Sequence, residues 1–185
     1  IGVAIVTAGP GVTNTITAIK NAQLAQSPLI LIGGAAATLL RGKGSLQDID
    51  QIALIKPHVK SAVTVGKVRD IIPSLTNALN IAVSGVPGPV FVELPIDLLY
   101  PEDSIREQHA SQLPSTGFLA KAMAWYVNRH LSDMFSNKKS SIKIRKKTKL
   151  LGRQKDIDNA ALAIVNAKKP VILLGNQVTQ NKEAL

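Results

Sequence analysis

The chain has 185 residues, of which 45% are apolar and only 3% aromatic, so its core must be aliphatic. It contains no cysteine, which excludes disulfide bonds and thiolate metal sites, and its longest apolar run is shorter than the roughly 20 residues of a membrane-spanning helix. The formal net charge of +10 is concentrated in residues 138–155, which hold nine of the 22 basic residues and no acidic one. The remainder is close to neutral, which argues against a nucleic-acid-binding protein.

The first predicted elements form a strand–helix–strand unit. A β-branched run ends at Gly9-Pro10-Gly11, a helix is expected from residues 12–14, and a second apolar strand covers residues 29–32 and stops at two glycines. A tight glycine turn at the carboxyl end of a parallel strand is where open α/β sheets bind ligands. Glycine lets the backbone approach a ligand, and the first N–H groups of a helix are free to point at it. The unit therefore predicts a bound molecule at this turn.

The alternation of strands and helices continues to about residue 101. After a loop, the pattern predicts a short helix, a strand, a longer helix and a further strand, at residues 46–55, 60–65, 68–83 and 89–94. In the longer helix, apolar residues recur at three- and four-residue steps, so one of its faces must be buried. Residues 1–101 are therefore predicted to form an α/β domain with a parallel sheet.

Two further regions follow. Residues 102–155 are predicted to be a connector that holds an amphipathic stretch at 118–135 and then the basic run, which is expected to be mobile because it has few apolar residues and no acid to pair with. In residues 156–185, a helical apolar stripe and a buried strand at 170–175 predict the beginning of a second α/β domain. The chain enters a strand almost at once, so we expect it to be a piece of a longer protein.

Three motifs occur in order along the first region. They are Gly9-Pro10-Gly11 with Asn14, the loop Gly44-Ser45-Leu46-Gln47-Asp48, and the run Gly85-Val-Pro-Gly-Pro-Val-Phe-Val-Glu-Leu-Pro-Ile-Asp97. Together they resemble the pyrimidine-binding domain of thiamine-diphosphate enzymes of the acetolactate synthase type. Within that family the amino-acid sequence resembles the acetolactate synthase-like, 2-hydroxyacyl-CoA lyase group. The resemblance is strong to residue 101 and fainter beyond it, where the segment from residue 156 resembles the start of the family's central domain.

The resemblance implies a thiamine diphosphate site, in which the cofactor serves as an electron sink. In such a site Gly9-Pro10-Gly11 would form the backbone wall against the aminopyrimidine ring, Asn14 would help to place the ring, and Gln47 would reach the substrate side of the thiazolium. Leu46 departs from the pattern, because acetolactate synthases have phenylalanine there. Plainer alternatives remain open: the glycines turn the chain, Asn14 caps a helix, and Gln47 is an exposed amide.

Other polar residues are weaker candidates. Asp48 and Asp50 are expected to be N-terminal charges of a short helix. Glu93 and Asp97 lie at a strand exit, where Asp97 is expected to accept hydrogen bonds from backbone amides. No metal site is predicted, since the histidines lie far apart and lack acidic ligands at helical spacing: His58, His109 and His130.

For the whole protein, the resemblance implies a thiamine-diphosphate-dependent lyase that cleaves 2-hydroxyacyl-CoA to formyl-CoA and an aldehyde one carbon shorter. Acetolactate synthesis from pyruvate is an alternative, and so is a catalytically silent relative kept as a binding or assembly module. The family's catalytic glutamate would lie upstream of the glycine turn, where residues 1–8 contain no acid. Its Mg²⁺ and diphosphate site belongs to a C-terminal domain. The 185 residues alone are therefore expected to be inactive.

The resemblance also implies partners and a location. An acyl-CoA would be the small-molecule substrate, and the full-length protein would be a homodimer or homotetramer without a nucleic-acid partner. The location would be the endoplasmic reticulum membrane, through an anchor outside this chain, with the cytoplasm as the alternative. The basic residues at 138–155 would allow a weak contact with an anionic membrane, worth about 1 kcal/mol per residue at the surface. A solvated linker is the plainer alternative.

Overall fold

The computed structural model describes residues 1–112, 117–147, 152–175 and 178. Its strands are β1 (Gly2–Val6), β2 (Leu29–Ala35), β3 (Ala62–Thr64) and β4 (Pro89–Pro95). They form one sheet in the order β1-β2-β4-β3, in which every pairing is parallel. The predicted α/β fold with a parallel sheet is confirmed.

The described helices are α1 (Pro10–Thr13), α2 (Ile16–Leu24), α3 (Gln51–Ile55), α4 (Ile71–Val83), α5 (Glu102–Gln112), α6 (Phe118–Met134) and α7 (Gln154–Asn166). All of them except α7 pack on the two faces of the sheet. One core cluster packs α1, α2 and α3 against Leu31 and Phe91. The other packs α4, α5 and α6 against Ile30, Val90 and Val92. Successive residues of a strand point to opposite faces, so β2 and β4 contribute to both clusters.

The strand register aligns the carboxyl ends of the four strands. Val6 pairs with Gly33, Gly33 pairs with Glu93, and Glu93 pairs with Thr64. These four residues therefore form one row across the sheet. Because all strands run in one direction, the loops that follow the row gather at a single edge, which is where a ligand site is expected in a parallel sheet.

Two helices begin at residues other than those predicted. The first helix begins at Pro10 rather than at residue 12, since proline is favoured at the first helical position. The helix predicted at 46–55 begins only at Gln51, because Asp50 accepts a hydrogen bond from the backbone N–H of Ala53 and caps it. Gln47 has a φ of 63°, a left-handed backbone conformation that a helix cannot contain. Residues 46–49 therefore form a loop that leads into α3.

The other elements of the first region agree with their predictions in type. β2 continues through the two glycines to Ala35 instead of stopping at them. The helix expected at 68–83 is a 3₁₀ turn, Val68–Asp70, followed by α4. In the second region, the amphipathic stretch expected at 118–135 is also a helix, α6.

The packing of the first domain continues beyond residue 101. Ile105 of α5 and Leu131 and Met134 of α6 are buried in the same cluster as Val90 of the sheet. The connector therefore contributes two helices to the core around β4.

Part of the basic run lies on α4. Residues 140–145, here called the strap, pair through their backbone with two asparagines of α4. Asn77 donates to the carbonyl of Lys143 (3.0 Å) and accepts from the N–H of Arg145 (2.6 Å), and Asn80 donates to the carbonyl of Arg145 (2.7 Å). The expectation that the basic run is mobile is therefore wrong for the strap, which is hydrogen-bonded to α4. Residues 148–151 lie outside the described part of the chain.

The C-terminal region departs from its prediction in one element. The helix expected from residue 156 is α7, whose side chains are exposed along its length. Residues 170–175 do not form the predicted buried strand, and Leu173 is 93% exposed. A strand needs a neighbour, and the described residues supply none at this point. None of the described helices has the length and hydrophobicity needed to span a bilayer.

Candidate functional site

The candidate site begins at the turn between β1 and α1. Gly9 has a φ of 61°, a conformation that favours glycine. A Cβ atom on Gly11 would lie 2.8 Å from Cγ2 of Thr7, so a side chain there has no room. Pro10, between the two glycines, is exposed. Gly9 itself is buried, so the turn exposes the pyrrolidine ring of Pro10 and part of the backbone of Gly11 to the solvent.

Gln47 lies directly against this turn. A Cβ atom on Gly9 would be 2.9 Å from Cβ of Gln47 and 3.2 Å from its Cα, so the two backbones are in close contact. The Gln47 side chain is exposed. Its positive φ is uncommon for a residue other than glycine, and such strained positions cluster at functional sites. The structure thus brings together two of the predicted site residues that are far apart in the sequence.

Asn14 belongs to the same turn but does not cap the start of a helix. It follows the last residue of α1, and its backbone N–H donates to the carbonyl of Pro10 at 3.0 Å. The residue is exposed. Asn14 is therefore a cap, but of the C-terminal end of α1, and the N-cap position of α2 is occupied by Thr15 instead. The role of Asn14 toward a cofactor ring stays a prediction.

A hydrogen bond to the buried side chain of Gln51, at the first position of α3, holds the turn in place. Its side-chain oxygen accepts a hydrogen bond from the backbone N–H of Gly9 at 2.7 Å. Its side-chain nitrogen donates to the carbonyl of Gly34 at 2.9 Å and to Oε1 of Glu93 at 2.8 Å. Gln51 is 1% exposed. This one side chain therefore connects the ends of β1, β2 and β4.

Glu93 is the buried acid of the site. It is fully buried, and its Oε2 receives Nη2 of Arg41 and, at 2.6 Å, the hydroxyl of Thr64. Thr64 is its register partner on β3, and Arg41 lies in the loop before Gln47. A buried carboxylate is costly unless it is paired and hydrogen-bonded, and here three donors meet those needs.

Sequence analysis missed this network. It assigned Glu93 to a strand exit and gave no role to Gln51, Arg41 or Thr64. A signal was available in the sequence. An apolar run of a parallel strand is buried on both faces, so a glutamate inside such a run is also buried and needs hydrogen-bond partners. The pattern contains no information about which partners, because they lie on other elements.

Two of the weaker candidates have the structural roles expected of them. Asp97 accepts hydrogen bonds from the backbone N–H of Thr38 (2.8 Å) and from its hydroxyl (2.6 Å), and Asp50 caps α3. His130 lies with Nε2 at 2.7 Å from the same Thr38 hydroxyl. In the described ranges there is no group of three or more metal-ligating side chains that could hold a metal ion.

The residues of the turn fit the aromatic part of a cofactor. The ring of Pro10 and the side-chain-free backbone of Gly11 offer a flat surface, and the amide of Gln47 stands beside it. Ligands for a metal-bound diphosphate are not among the residues at the turn. The residues at the turn can therefore hold the ring of a cofactor from one side.

Comparison with known families identifies the class. Residues 1–54 match the family described as thiamine pyrophosphate enzyme, N-terminal TPP binding domain, where thiamine pyrophosphate is another name for thiamine diphosphate. The match spans β1, the turn, β2, the Gln47 loop and most of α3. This part of the chain is therefore similar to the N-terminal cofactor-binding domain of thiamine diphosphate enzymes, as the sequence motifs indicated.

Matches to individual proteins show which enzymes the chain is similar to. The chain is 50% identical over 181 residues to 2-hydroxyacyl-CoA lyase 2 of Danio rerio, covering 97% of this chain and 29% of that protein. It is 46% identical over 181 residues to 2-hydroxyacyl-CoA lyase 2 of Caenorhabditis elegans, covering 97% of this chain and 28% of that protein. It is 34% identical over 175 residues to the acetolactate synthase isozyme 3 large subunit of Escherichia coli (strain K12), covering 95% of this chain and 26% of that protein. The chain thus spans less than a third of the length of these relatives.

Proposed function

We propose that this chain supplies one wall of the thiamine diphosphate site of a carbon–carbon lyase that acts on 2-hydroxyacyl-CoA. The observation that carries the proposal is the contact between the Gly9–Gly11 turn and Gln47 at the carboxyl edge of a parallel sheet. This contact lies inside the segment that matches a thiamine diphosphate-binding domain. The higher identity to relatives named as 2-hydroxyacyl-CoA lyases than to an acetolactate synthase favours the lyase reaction.

Each residue of the turn has a distinct task in this proposal. When bound, thiamine diphosphate supplies an electron sink next to the substrate carbonyl carbon. Pro10 and Gly11 pack against the aminopyrimidine ring and fix its plane, and Asn14 borders the ring. The amide of Gln47 can donate and accept hydrogen bonds, so it orients the hydroxyl or carbonyl oxygen of the substrate. The products would be formyl-CoA and an aldehyde one carbon shorter.

The proposal includes features that rest on the family resemblance alone. They are Mg²⁺ as the metal of the cofactor diphosphate, assembly as a homodimer or homotetramer, and a location at the endoplasmic reticulum membrane. The contact of residues 138–155 with an anionic membrane also stays a prediction. In the strap, the exposed side chains of Lys143 and Arg145 are compatible with that contact.

Substitution of Gln47 tests the site in the intact protein that carries this chain. Gln47→Ala should lower kcat and kcat/KM for a 2-hydroxyacyl-CoA by about 100-fold, the typical cost of removing one hydrogen-bond donor at a reacting oxygen. The affinity for thiamine diphosphate should change by less than about 2-fold, since the residue is placed on the substrate side. Release of formyl-CoA and calorimetric titration of the cofactor in the presence of Mg²⁺ measure the two quantities.

The control is Gln23→Ala, which changes a glutamine of α2 whose side chain bonds to Lys20 and to the carbonyl of Pro57 and not to the turn. It should leave both quantities unchanged. Wild-type kinetics for Gln47→Ala would return this residue to the role of an exposed amide. An intact wild-type protein that does not bind thiamine diphosphate would refute the proposed function as a whole.

A further inference from the structure

We propose that Gln51 and Glu93 form a positioning pair that fixes the Gly9–Gly11 turn in the conformation that receives the cofactor ring. The inference rests on the proposed function for its catalytic consequence. It assigns a role to two buried residues: Glu93, which the third motif contains without a function, and Gln51, which lies outside the three motifs.

The side chain of Glu93 is oriented by three donors. Oε1 receives the amide of Gln51, and Oε2 receives Arg41 and the hydroxyl of Thr64. An ionised carboxylate only accepts hydrogen bonds, so each of these partners must present a hydrogen. An apolar side chain of similar size would fill this place without the cost of burying a charge. The feature that a carboxylate adds is an acceptor at a fixed point beside Gln51.

That acceptor determines the orientation of the Gln51 amide. One hydrogen of its NH₂ group points to Oε1 of Glu93 and the other to the carbonyl of Gly34. The amide oxygen must then face the N–H of Gly9. The reversed orientation would place the oxygen against a carboxylate and a carbonyl, and the NH₂ group against an N–H donor. Glu93 therefore selects the one orientation in which Gln51 holds the turn.

The bond to Gly9 in turn fixes the predicted site. Gly9 has unusual freedom of rotation because it lacks a side chain, and the hydrogen bond from its N–H restricts that freedom. Gln47 is in contact with Gly9, so a movement of the turn also displaces Gln47. Misplacement of reacting groups by about 1 Å can cost on the order of 100-fold in rate. The pair thus controls the ring-binding turn and the substrate-facing amide together.

The test uses Gln51→Met, which preserves the size of the side chain but not its hydrogen bonds. In the intact protein, the dissociation constant for thiamine diphosphate with Mg²⁺ should rise about 10-fold, the effect of a loss of about 1.4 kcal/mol. Hydrogen–deuterium exchange of the peptide that covers residues 7–12 should become faster in the cofactor-free protein, because the N–H of Gly9 loses its partner. This second measurement does not depend on activity or on cofactor binding.

A conservative variant separates positioning from mere packing. In Gln51→Glu, the new carboxyl group faces the carboxylate of Glu93, with Arg41 as the charged group that also faces Glu93. When the two carboxyl groups share one proton, the new side chain can accept from Gly9 and donate to Glu93. Cofactor affinity of Gln51→Glu should therefore recover toward the wild-type value as the pH is lowered, and that of Gln51→Met should not recover relative to wild type.

Val92→Ala is the matched control. Val92 is fully buried on β4 beside Glu93 but belongs to the cluster on the opposite face of the sheet. This variant should lower stability without changing exchange in residues 7–12 or cofactor affinity by more than about 2-fold. Unchanged exchange in Gln51→Met, or an equal change in Val92→Ala, would overturn the inference. If wild type fails to bind thiamine diphosphate while Gln51→Met still speeds exchange at the turn, the proposed function fails and the positioning pair stands.

Discussion

Gly33 lies beneath the candidate site, where β2 passes between two fully buried side chains. A Cβ atom at this position would lie 2.7 Å from Cε2 of Phe91 and 2.7 Å from Cγ2 of Val12. Both neighbours are fully buried, so neither side chain has free space into which it could move. Val12 belongs to α1, so any displacement reaches the turn directly. The absence of a side chain at Gly33 is therefore a packing requirement of the site.

Gly33→Ala should destabilise the protein by about 1–3 kcal/mol, the usual cost of overpacking a core. Urea unfolding of the intact protein measures this free energy. Gly66→Ala is the matched control, because a Cβ atom at Gly66 meets nothing within 4 Å. It should leave stability unchanged or raise it slightly, by less than about 1 kcal/mol. Equal effects of the two substitutions would show that the contacts with Phe91 and Val12 can relax.

At the same scale, the sequence motifs drew attention to exposed residues of the candidate site, whose roles toward a cofactor stay predictions, and not to the buried residues that hold them. Pro10 and Gln47 lie in short motifs whose spacing is visible in the chain. Gln51 and Glu93 acquire their meaning only when α3 packs over the end of β4. A buried polar residue can be recognised by its apolar neighbours in sequence, but its partner is set by tertiary structure.

At the scale of elements, the strands of residues 1–101 were easier to predict than the helix boundaries, whereas the strand predicted at 170–175 does not form. β2 and β4 are apolar runs with few polar positions, as is typical of strands buried on both faces. The start of α3 depends on the left-handed backbone of Gln47 and on the cap at Asp50. Both features give no periodic signal. The loop that carries Gln47 was therefore predicted as helix, although its residues were singled out.

The strap is a second element that pattern alone could not place. Its charges predict a solvated segment, but asparagine side chains can pair with an extended backbone from the surface of a helix. Ser140 also donates to Oδ1 of Asp70 at 2.5 Å, just before α4 begins. Ile142 is half-buried against a small cavity of about 150 Å³ that Ser74 and Ala78 help to line. Polar and apolar contacts thus both hold the strap on α4.

The double variant Asn77→Ala, Asn80→Ala should release the strap. Three hydrogen bonds are lost, each worth about 1 kcal/mol, so trypsin cleavage after Lys143 should accelerate by about 10-fold or more. The Tm should fall by several degrees, because the better helix propensity of alanine, about 0.5 kcal/mol per residue, offsets only about a third of the lost hydrogen-bond energy. Peptide mapping of a cleavage time course measures the rate. Thr76→Ala, whose hydroxyl bonds within α4 to the carbonyl of Ile72, is the control and should leave the rate unchanged.

At the scale of the whole molecule, the connector and the sheet form one packed unit. Leu131 and Met134 bury one side of α6 in the cluster around β4. On the exposed side of its last turn, ion pairs connect α6 to the segment before α4. Asp133 pairs with Lys67 (2.7 Å) and with Arg69 (3.1 Å), which flank the start of the turn before α4. Arg69 also donates to the backbone carbonyl of Asp133 at 2.9 Å. Composition predicted the basic run but not this attachment, which depends on residues distant in the chain.

The attachment of α6 should weaken in acid. Hydrogen bonds from Lys67 and then Arg69 lower the pKa of the Asp133 carboxyl below its usual value. A carboxyl group with a lowered pKa in the folded state stabilises the protein above its unfolded pKa of about 3.9 and loses that contribution as the pH falls through the folded value. The difference in Tm between wild type and Asp133→Asn should therefore be present at pH 6 and vanish well below pH 4. Because the side chain is exposed, the difference should be small and should shrink in high salt.

Asp156→Asn provides the comparison for this pH dependence. Asp156 pairs with Arg153 within one turn at the start of α7, so its loss separates no two elements of the fold. Thermal unfolding followed by circular dichroism between pH 3 and pH 7 should show a smaller effect of Asp156→Asn than of Asp133→Asn at neutral pH. Protection of α6 amides, measured against the intrinsic exchange rate at each pH, should fall in acid for wild type and should already be reduced at pH 6 in Asp133→Asn. A pH-independent difference between wild type and Asp133→Asn would show that the charge of Asp133 does not hold α6 to the sheet.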